Sequence, residues 1–133
     1  MRAVFLAILV LVATMTGPGC TTRAGAGAGL ASAPIGEPIQ MAPGQRVTLL
    51  HGATLRYVAV AADSRCPPGV QCIRAGDADV AFEVTDTAQA PRQLTINTNP
   101  PASARIGPWQ VRLLALDFGD SPRATVRIDP ATP

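Results

Sequence analysis

Alternation of apolar and polar residues is the feature that most limits what this chain can fold into. It is clearest over residues 78–86, where Val80, Phe82 and Val84 alternate with small or polar residues. A period of two places successive side chains on opposite faces of a strand, whereas a helix face needs a period of 3.6. No stretch beyond residue 45 sustains the helical period, so the domain is predicted to be all-β.

Six strands are predicted, separated by clusters of Gly, Pro, Asn and Asp. They cover residues 45–50, 55–62, 78–86, 92–98, 109–116 and 124–129. Leu94 and Ile96 supply the buried face of the fourth strand, which is expected to form a hairpin with the third. Leu113, Leu114 and Leu116 are apolar on both faces of the fifth, which predicts a central strand or a bulge. Such spacing predicts a small antiparallel β-sandwich or a partly open β-barrel, and the pattern leaves both open.

The first 19 residues have the features of a bacterial export signal. Arg2 supplies a positive charge, and a stretch of 13 residues from Ala3 to Met15 is apolar except for Thr14. This length is typical of a signal h-region and is shorter than the roughly 20 apolar residues that a spanning helix needs. Residues 1–19 are therefore predicted to be a signal peptide of the lipoprotein type.

Cys20 resembles the lipobox cysteine that becomes the lipidated first residue of a mature bacterial lipoprotein. The resemblance implies a membrane anchor through the N-terminal lipid, and Thr21 after the cysteine favours the outer membrane, facing the periplasm. Cleavage near residues 31–33 is the alternative, and it would release a soluble periplasmic protein. Residues 20–38, rich in Gly, Ala and Pro, are predicted to form a flexible linker before a single all-β domain over 39–133.

The distribution of charge argues against a nucleic-acid partner. All eleven basic residues are arginines, and the nine acidic residues nearly balance them. Nucleic-acid binding requires a clustered basic face. The arginines of this chain are separated by wide intervals, so they are interpreted as parts of solvated strand faces and turns.

Residues 63–78 form the most specific segment, which reads Asp-Ser-Arg-Cys-Pro-Pro-Gly-Val-Gln-Cys-Ile-Arg-Ala-Gly-Asp-Ala. The segment resembles one found in uncharacterised exported bacterial proteins, with an Asp-Ser-Arg-Cys-Pro start, a second cysteine six residues after the first, and Ala-Gly before a strand. The resemblance extends more weakly over residues 46–86 and 111–116. It implies no known activity.

The two cysteines of this segment are predicted to form a structural disulfide. Pro67, Pro68 and Gly69 are turn formers that can bring the sulfurs of Cys66 and Cys72 together. Oxidation is the expected outcome in the periplasm. Closing a ring of about seven residues contributes roughly 2 kcal/mol, a large share of the stability of so small a domain.

A metal or redox site built from the two thiols with His51 or Asp63 is the alternative. The separation of the cysteines and the single histidine fit neither zinc sites nor the C-x-x-C redox motif, so no metal site is predicted. Asp63, Asp77 and Asp79 together have the chemistry to hold a calcium ion. In the absence of a known calcium-loop pattern, they are interpreted as solvated carboxylates or as partners of Arg65 and Arg74.

No residue is predicted to be catalytic. His51 precedes Gly52 and is interpreted as a turn residue, while Tyr57 and Trp109 are expected to fill the core. The chain carries no nucleophile elbow, P-loop, H-E-x-x-H or dinucleotide fingerprint, so neither an enzymatic activity nor a cofactor is predicted.

The predicted function is a non-catalytic, envelope-tethered module that binds an unknown ligand or an envelope protein. Binding residues tend to lie on loops held by a rigid scaffold. The candidate loop residues are Asp63, Arg65, Arg74 and Asp77. The alternatives are a protein inhibitor whose loop, residues 65–71, fills an enzyme cleft, and a metal-binding periplasmic protein.

Overall fold

The chain folds into an open β-sandwich of two sheets. The structure is a computed structural model that describes residues 30–132. The strands in this range are β1 (Ala31–Ser32), β2 (Pro38–Met41), β3 (Arg46–Thr48), β4 (Thr54–Asp63), β5 (Ala78–Asp86), β6 (Gln89–Asn97), β7 (Ser103–Ile106), β8 (Trp109–Leu116) and β9 (Ala124–Pro130), with a 3₁₀ helix at Leu50–Gly52. The all-β class is confirmed, and of the two architectures the sandwich is the correct one. In residues 30–132 no helix has the length and apolar character needed to cross a membrane.

Sheet A has the strand order β1-β3-β4-β5-β6, and sheet B has the order β2-β9-β8-β7. Neighbouring strands pair antiparallel, except that β1 runs parallel to β3. The hairpin expected between β5 and β6 is present, and β3 and β4 form another. The connection from β4 to β5 carries the cysteines, and that from β8 to β9 belongs to the other sheet, so a contact between these loops joins the two layers.

Inward-facing residues of both sheets form one apolar core. Val80, Phe82 and Val84 are buried on β5 as the alternation predicted, and Tyr57 and Trp109 are core residues. The largest fully buried side chains are Tyr57, Phe82, Met41, Leu55, Ile96 and Ile128. Burial of a large apolar side chain contributes about 1.5–3 kcal/mol, so each of these residues is a large single contributor to the favourable free energy of folding.

The leucine-rich strand β8 is both central and bulged. It lies between β7 and β9, and its register with β9 shifts between Leu113 and Ala115. Leu113 is buried, whereas the side chain of Leu114 is 44% exposed. The extra residue of the bulge accounts for the apolar residues on both faces.

The structure differs from the expected linker boundary at residue 38. Ala31 and Ser32 pair with β3, Ala33 is buried, and the Ala33 amide donates to Thr48 O at 2.8 Å. This extended segment satisfies backbone groups along the edge of β3, which its Ala-rich composition did not indicate. The signal peptide, Cys20 and the linker residues up to 29 lie outside the described residues.

Candidate functional site

The cysteine segment extends the β4–β5 hairpin beyond the ends of its strands. The Ser64 amide donates to Asp77 O at 2.8 Å, and the Cys66 amide donates to Ala75 O at 2.7 Å. The two legs of the loop therefore stay paired up to the first cysteine. This pairing places the ring between the cysteines at the far end of a strand pair, where it stands out from the sandwich.

The predicted disulfide between Cys66 and Cys72 is present, with the two Cα atoms 5.9 Å apart. Inside the ring, the Val70 amide donates to Pro67 O at 3.2 Å and closes a tight turn. Gly69 has φ 79°, the positive value that the third residue of a type II turn requires. The Pro-Pro-Gly sequence therefore sets the reversal that brings the cysteines together.

The glycine of the Ala-Gly pair, Gly76, is required by the backbone geometry at its position. Its φ is +66°, and a Cβ at this position would collide with the carbonyl oxygen of Ser64 on the opposite leg. Only glycine allows the two legs to approach this closely. The part of the loop next to the strands, which we call its base, is thus restricted by this glycine as well as by the hydrogen bonds between the legs.

Arg65 joins the base of this loop to the other sheet. Its Nε and Nη2 donate to the two carboxylate oxygens of Asp63 at 2.9 and 2.7 Å. Nη1 donates to Leu116 O at 2.6 Å, and Nη2 also donates to Asp117 O at 2.8 Å. The guanidinium carbon lies 4.1 Å from the centroid of the Phe118 ring. Arg65 therefore fastens the loop of sheet A to the β8–β9 connection of sheet B, and its side chain is only 12% exposed.

Tyr57 of β4 provides a second tie between sheet A and the β8–β9 connection. Its hydroxyl donates to Pro122 O at 2.8 Å, while its ring packs against Phe82 with the centroids 5.5 Å apart. Burial raises the pKa of Tyr57 above its ordinary value, so the hydroxyl keeps its proton. The β8–β9 connection is thus held near both of its ends.

The hydrogen bonds with Arg65 keep Asp63 ionised. They lower the pKa of Asp63, to which the Arg65 amide also donates at 3.0 Å. The same pair raises the pKa of Arg65. Both groups are therefore charged at neutral pH, and the predicted pairing of a loop carboxylate with Arg65 is confirmed.

The other loop carboxylates are tied to the sheet. Asn97 Nδ2 donates to Asp77 at 2.6 Å and to Asp79 at 2.8 Å, and the Asp77 amide donates to Ser64 Oγ at 3.1 Å. Asp63 is occupied by arginine, and Cys66 is disulfide-bonded. Over residues 30–132, no three His, Cys, Asp or Glu side chains are grouped to hold a metal ion. His51 lies apart from the loop in the 3₁₀ turn, with φ 64°.

The four candidate binding residues of the loop differ in their surroundings. Asp63, Arg65 and Asp77 are engaged in internal bonds, whereas Arg74 is exposed and has no ion-pair partner among the described residues.

The exposed apolar side chains of the loop are Val70 and Ile73, which sequence reasoning missed. Val70 is 57% exposed, and Ile73 makes essentially no contact with the domain. The sequence feature that could have identified them is the position of two aliphatic residues on either side of Cys72, in a segment with no strand pattern. We call residues 67–74 the loop tip.

Comparison of the chain with protein families, with curated proteins and with solved structures finds no match. The likeness of residues 63–78 to exported bacterial proteins therefore stays a prediction.

Arg65→Lys is expected to destabilise the oxidised protein by about 1.5–3 kcal/mol. Lysine keeps the charge but loses the planar fork that reaches Asp63 and two carbonyl oxygens together. The measurement is the free energy of unfolding in denaturant. Arg74→Lys, at an exposed position of the same loop, is the control and should change it by less than about 0.5 kcal/mol. Equal effects of the two substitutions would contradict the role assigned to Arg65.

The lowered pKa of Asp63 predicts a loss of stability in acid. Its contribution is complete above the ordinary pKa of 3.8 and disappears as the pH falls through the lower pKa of the folded state. The free energy of unfolding, measured from about pH 6 to about pH 2, should fall more steeply in the native chain than in Asp63→Asn. Parallel curves would show that this pair does not contribute to acid sensitivity.

Proposed function

We propose that the chain is a non-catalytic binding module of the cell envelope that contacts a partner protein through the loop tip. The observation that carries the proposal is the combination of exposed aliphatic side chains with a firmly held backbone. Val70 lies inside the ring closed by the disulfide, and Ile73 directly follows that ring, between legs that are paired by hydrogen bonds and fastened by Arg65. Exposed apolar groups on a braced loop are typical of a protein contact.

Bracing the loop favours binding for an energetic reason. A flexible loop loses conformational freedom when it binds, and that loss opposes association. The disulfide and the hydrogen bonds of the base impose the restriction before the partner arrives. Burial of Val70 and Ile73 would then contribute about 1.5–3 kcal/mol each to the affinity.

The proposed location is the cell envelope, with Cys20 as the lipid-bearing first residue of the mature protein. The apolar leader supports export, and a disulfide at an exposed site suits an oxidising compartment. In the alternative form the domain is soluble in the periplasm, and the loop tip works in the same way.

A protein inhibitor is a second candidate, favoured by the tight turn inside the disulfide ring. A braced reversal of this kind is suited to enter an enzyme cleft. Because Arg65 is turned into the domain, the residues that would enter are those of 67–71, with Val70 as the largest aliphatic side chain among them. Inhibition of the captured enzyme, measured with purified components, would separate this candidate from a simple binding module.

The test compares capture of envelope proteins by the native chain and by a Val70→Ser, Ile73→Ser variant. The native chain should retain a partner, and the variant should bind that purified partner at least about tenfold more weakly, because two apolar contacts are lost. Leu50→Ser is the control, since Leu50 is 54% exposed and lies in the 3₁₀ turn.

Unchanged affinity of the loop variant would contradict the proposal. An equal loss in the Leu50 variant would also contradict it, because the contact would then not belong to the loop tip.

A further inference from the structure

We propose that the outer face of sheet B docks on a membrane surface rich in anionic phospholipid headgroups. This surface is separate from the loop tip. It is made by Arg105 of β7, Arg112 of β8 and Arg127 of β9, which we call the basic face.

The strand register brings these arginines to one side of the sheet. Arg112 is the cross-strand partner of Arg127, and Arg105 follows two residues after Ser103, the partner of Arg112 on β7. Their neighbours along the strands point the other way, since Ile106, Val111, Leu113, Val126 and Ile128 are buried in the core. The three arginines are 7 and 15 residues apart in sequence but belong to adjacent strands.

Most of the charge on the basic face is not compensated. Arg127 Nε is 3.0 Å from Asp129 Oδ2, whereas Arg105 and Arg112 have no carboxylate within 4.0 Å among residues 30–132. Among the described residues, β2, β7, β8 and β9 carry a single acidic residue, Asp129. Three positive charges and one negative charge therefore leave a net charge of +2 on these strands. Glu37, exposed just before β2, lies at the margin of the sheet.

The outer face of sheet A shows that this excess is local. There Arg46 and Arg56 lie 3.9 and 3.7 Å from the carboxylate of Glu83, and Asp79 supplies a second negative charge on β5. On this face, two positive charges are therefore balanced by two negative charges. A general excess of arginine would have left both faces positive.

The composition of the basic face favours lipid headgroups over a protein partner. Its other outward residues include Ser103, Gln110 and Thr125, so its centre lacks the aromatic or aliphatic anchor on which protein interfaces depend. Guanidinium groups bind phosphate oxygens in a bidentate manner. Leu114, 44% exposed at the end of β8, is placed to contact lipid at the edge of the surface.

The experiment uses the full chain in nanodiscs of phosphatidylcholine, with or without phosphatidylglycerol. Lipids that carry gadolinium at the headgroup broaden the amide signals of residues near the bilayer. Broadening of outward residues on β7, β8 and β9 is expected in anionic discs and should be lost in neutral discs and at high salt. The double substitution Arg105→Gln and Arg112→Gln should lower the ratio of protein docked on the anionic bilayer to undocked protein by about tenfold or more.

The matched control is Arg46→Gln with Arg92→Gln, two exposed arginines of sheet A, which removes the same charge from other surfaces and should keep the docked ratio within about twofold. Equal broadening in neutral and anionic discs, or an equal loss in the control, would overturn the proposal. If inorganic phosphate alone saturates binding at the same residues, the basic face binds a small anion and the membrane proposal is wrong. If polyglutamate alone does so, the face binds an acidic protein and the proposal is also wrong.

Discussion

The guanidinium of Arg65 is the contact on which the arrangement of the loop and of the neighbouring end of the sandwich depends. It neutralises Asp63 within its own hairpin and donates to two backbone carbonyls of the other sheet, with Phe118 against its face. Charge-assisted hydrogen bonds are stronger than neutral ones, and at 12% exposure water competes weakly for this group. The parallel bond from Tyr57 to Pro122 restricts the same β8–β9 connection. A small domain with limited core thereby gains order where its longest loop begins.

The long strands could be predicted from the sequence because their energetics are visible in it. On β5 the buried Val80, Phe82 and Val84 alternate with exposed positions, and the predicted bounds 78–86 are those observed. The closing strand differs by one residue, since Pro130 is included. Strands β2 and β7 were missed because four residues contain too few alternations to distinguish a strand from a loop.

The role of Arg65 could not be predicted in the same way. Two of its acceptors are backbone carbonyls of residues 116 and 117, about fifty positions along the chain, and a carbonyl leaves no mark in the sequence. The sequence alone predicts Arg65 as a candidate binding residue or as the partner of a loop carboxylate, and its bonds to residues 116 and 117 become visible only in the folded chain. The disulfide, by contrast, was predictable, because Pro67, Pro68 and Gly69 encode the turn locally. The same distinction explains why the arginines of sheet B appeared scattered until the strand register was known.

The loop tip combines a braced backbone with exposed aliphatic side chains. The polar groups at the base of the loop are engaged in internal hydrogen bonds, whereas the exposed aliphatic residues at its end are available to a partner. The most direct measurement of this claim is the backbone order of residues 64–77 in the oxidised full chain, by ¹⁵N relaxation. Order parameters close to about 0.85, matching those of β5, are expected for a braced loop. Values below about 0.6 across the loop, with β5 rigid, would contradict it, because the tip would then be a flexible segment and not a braced one.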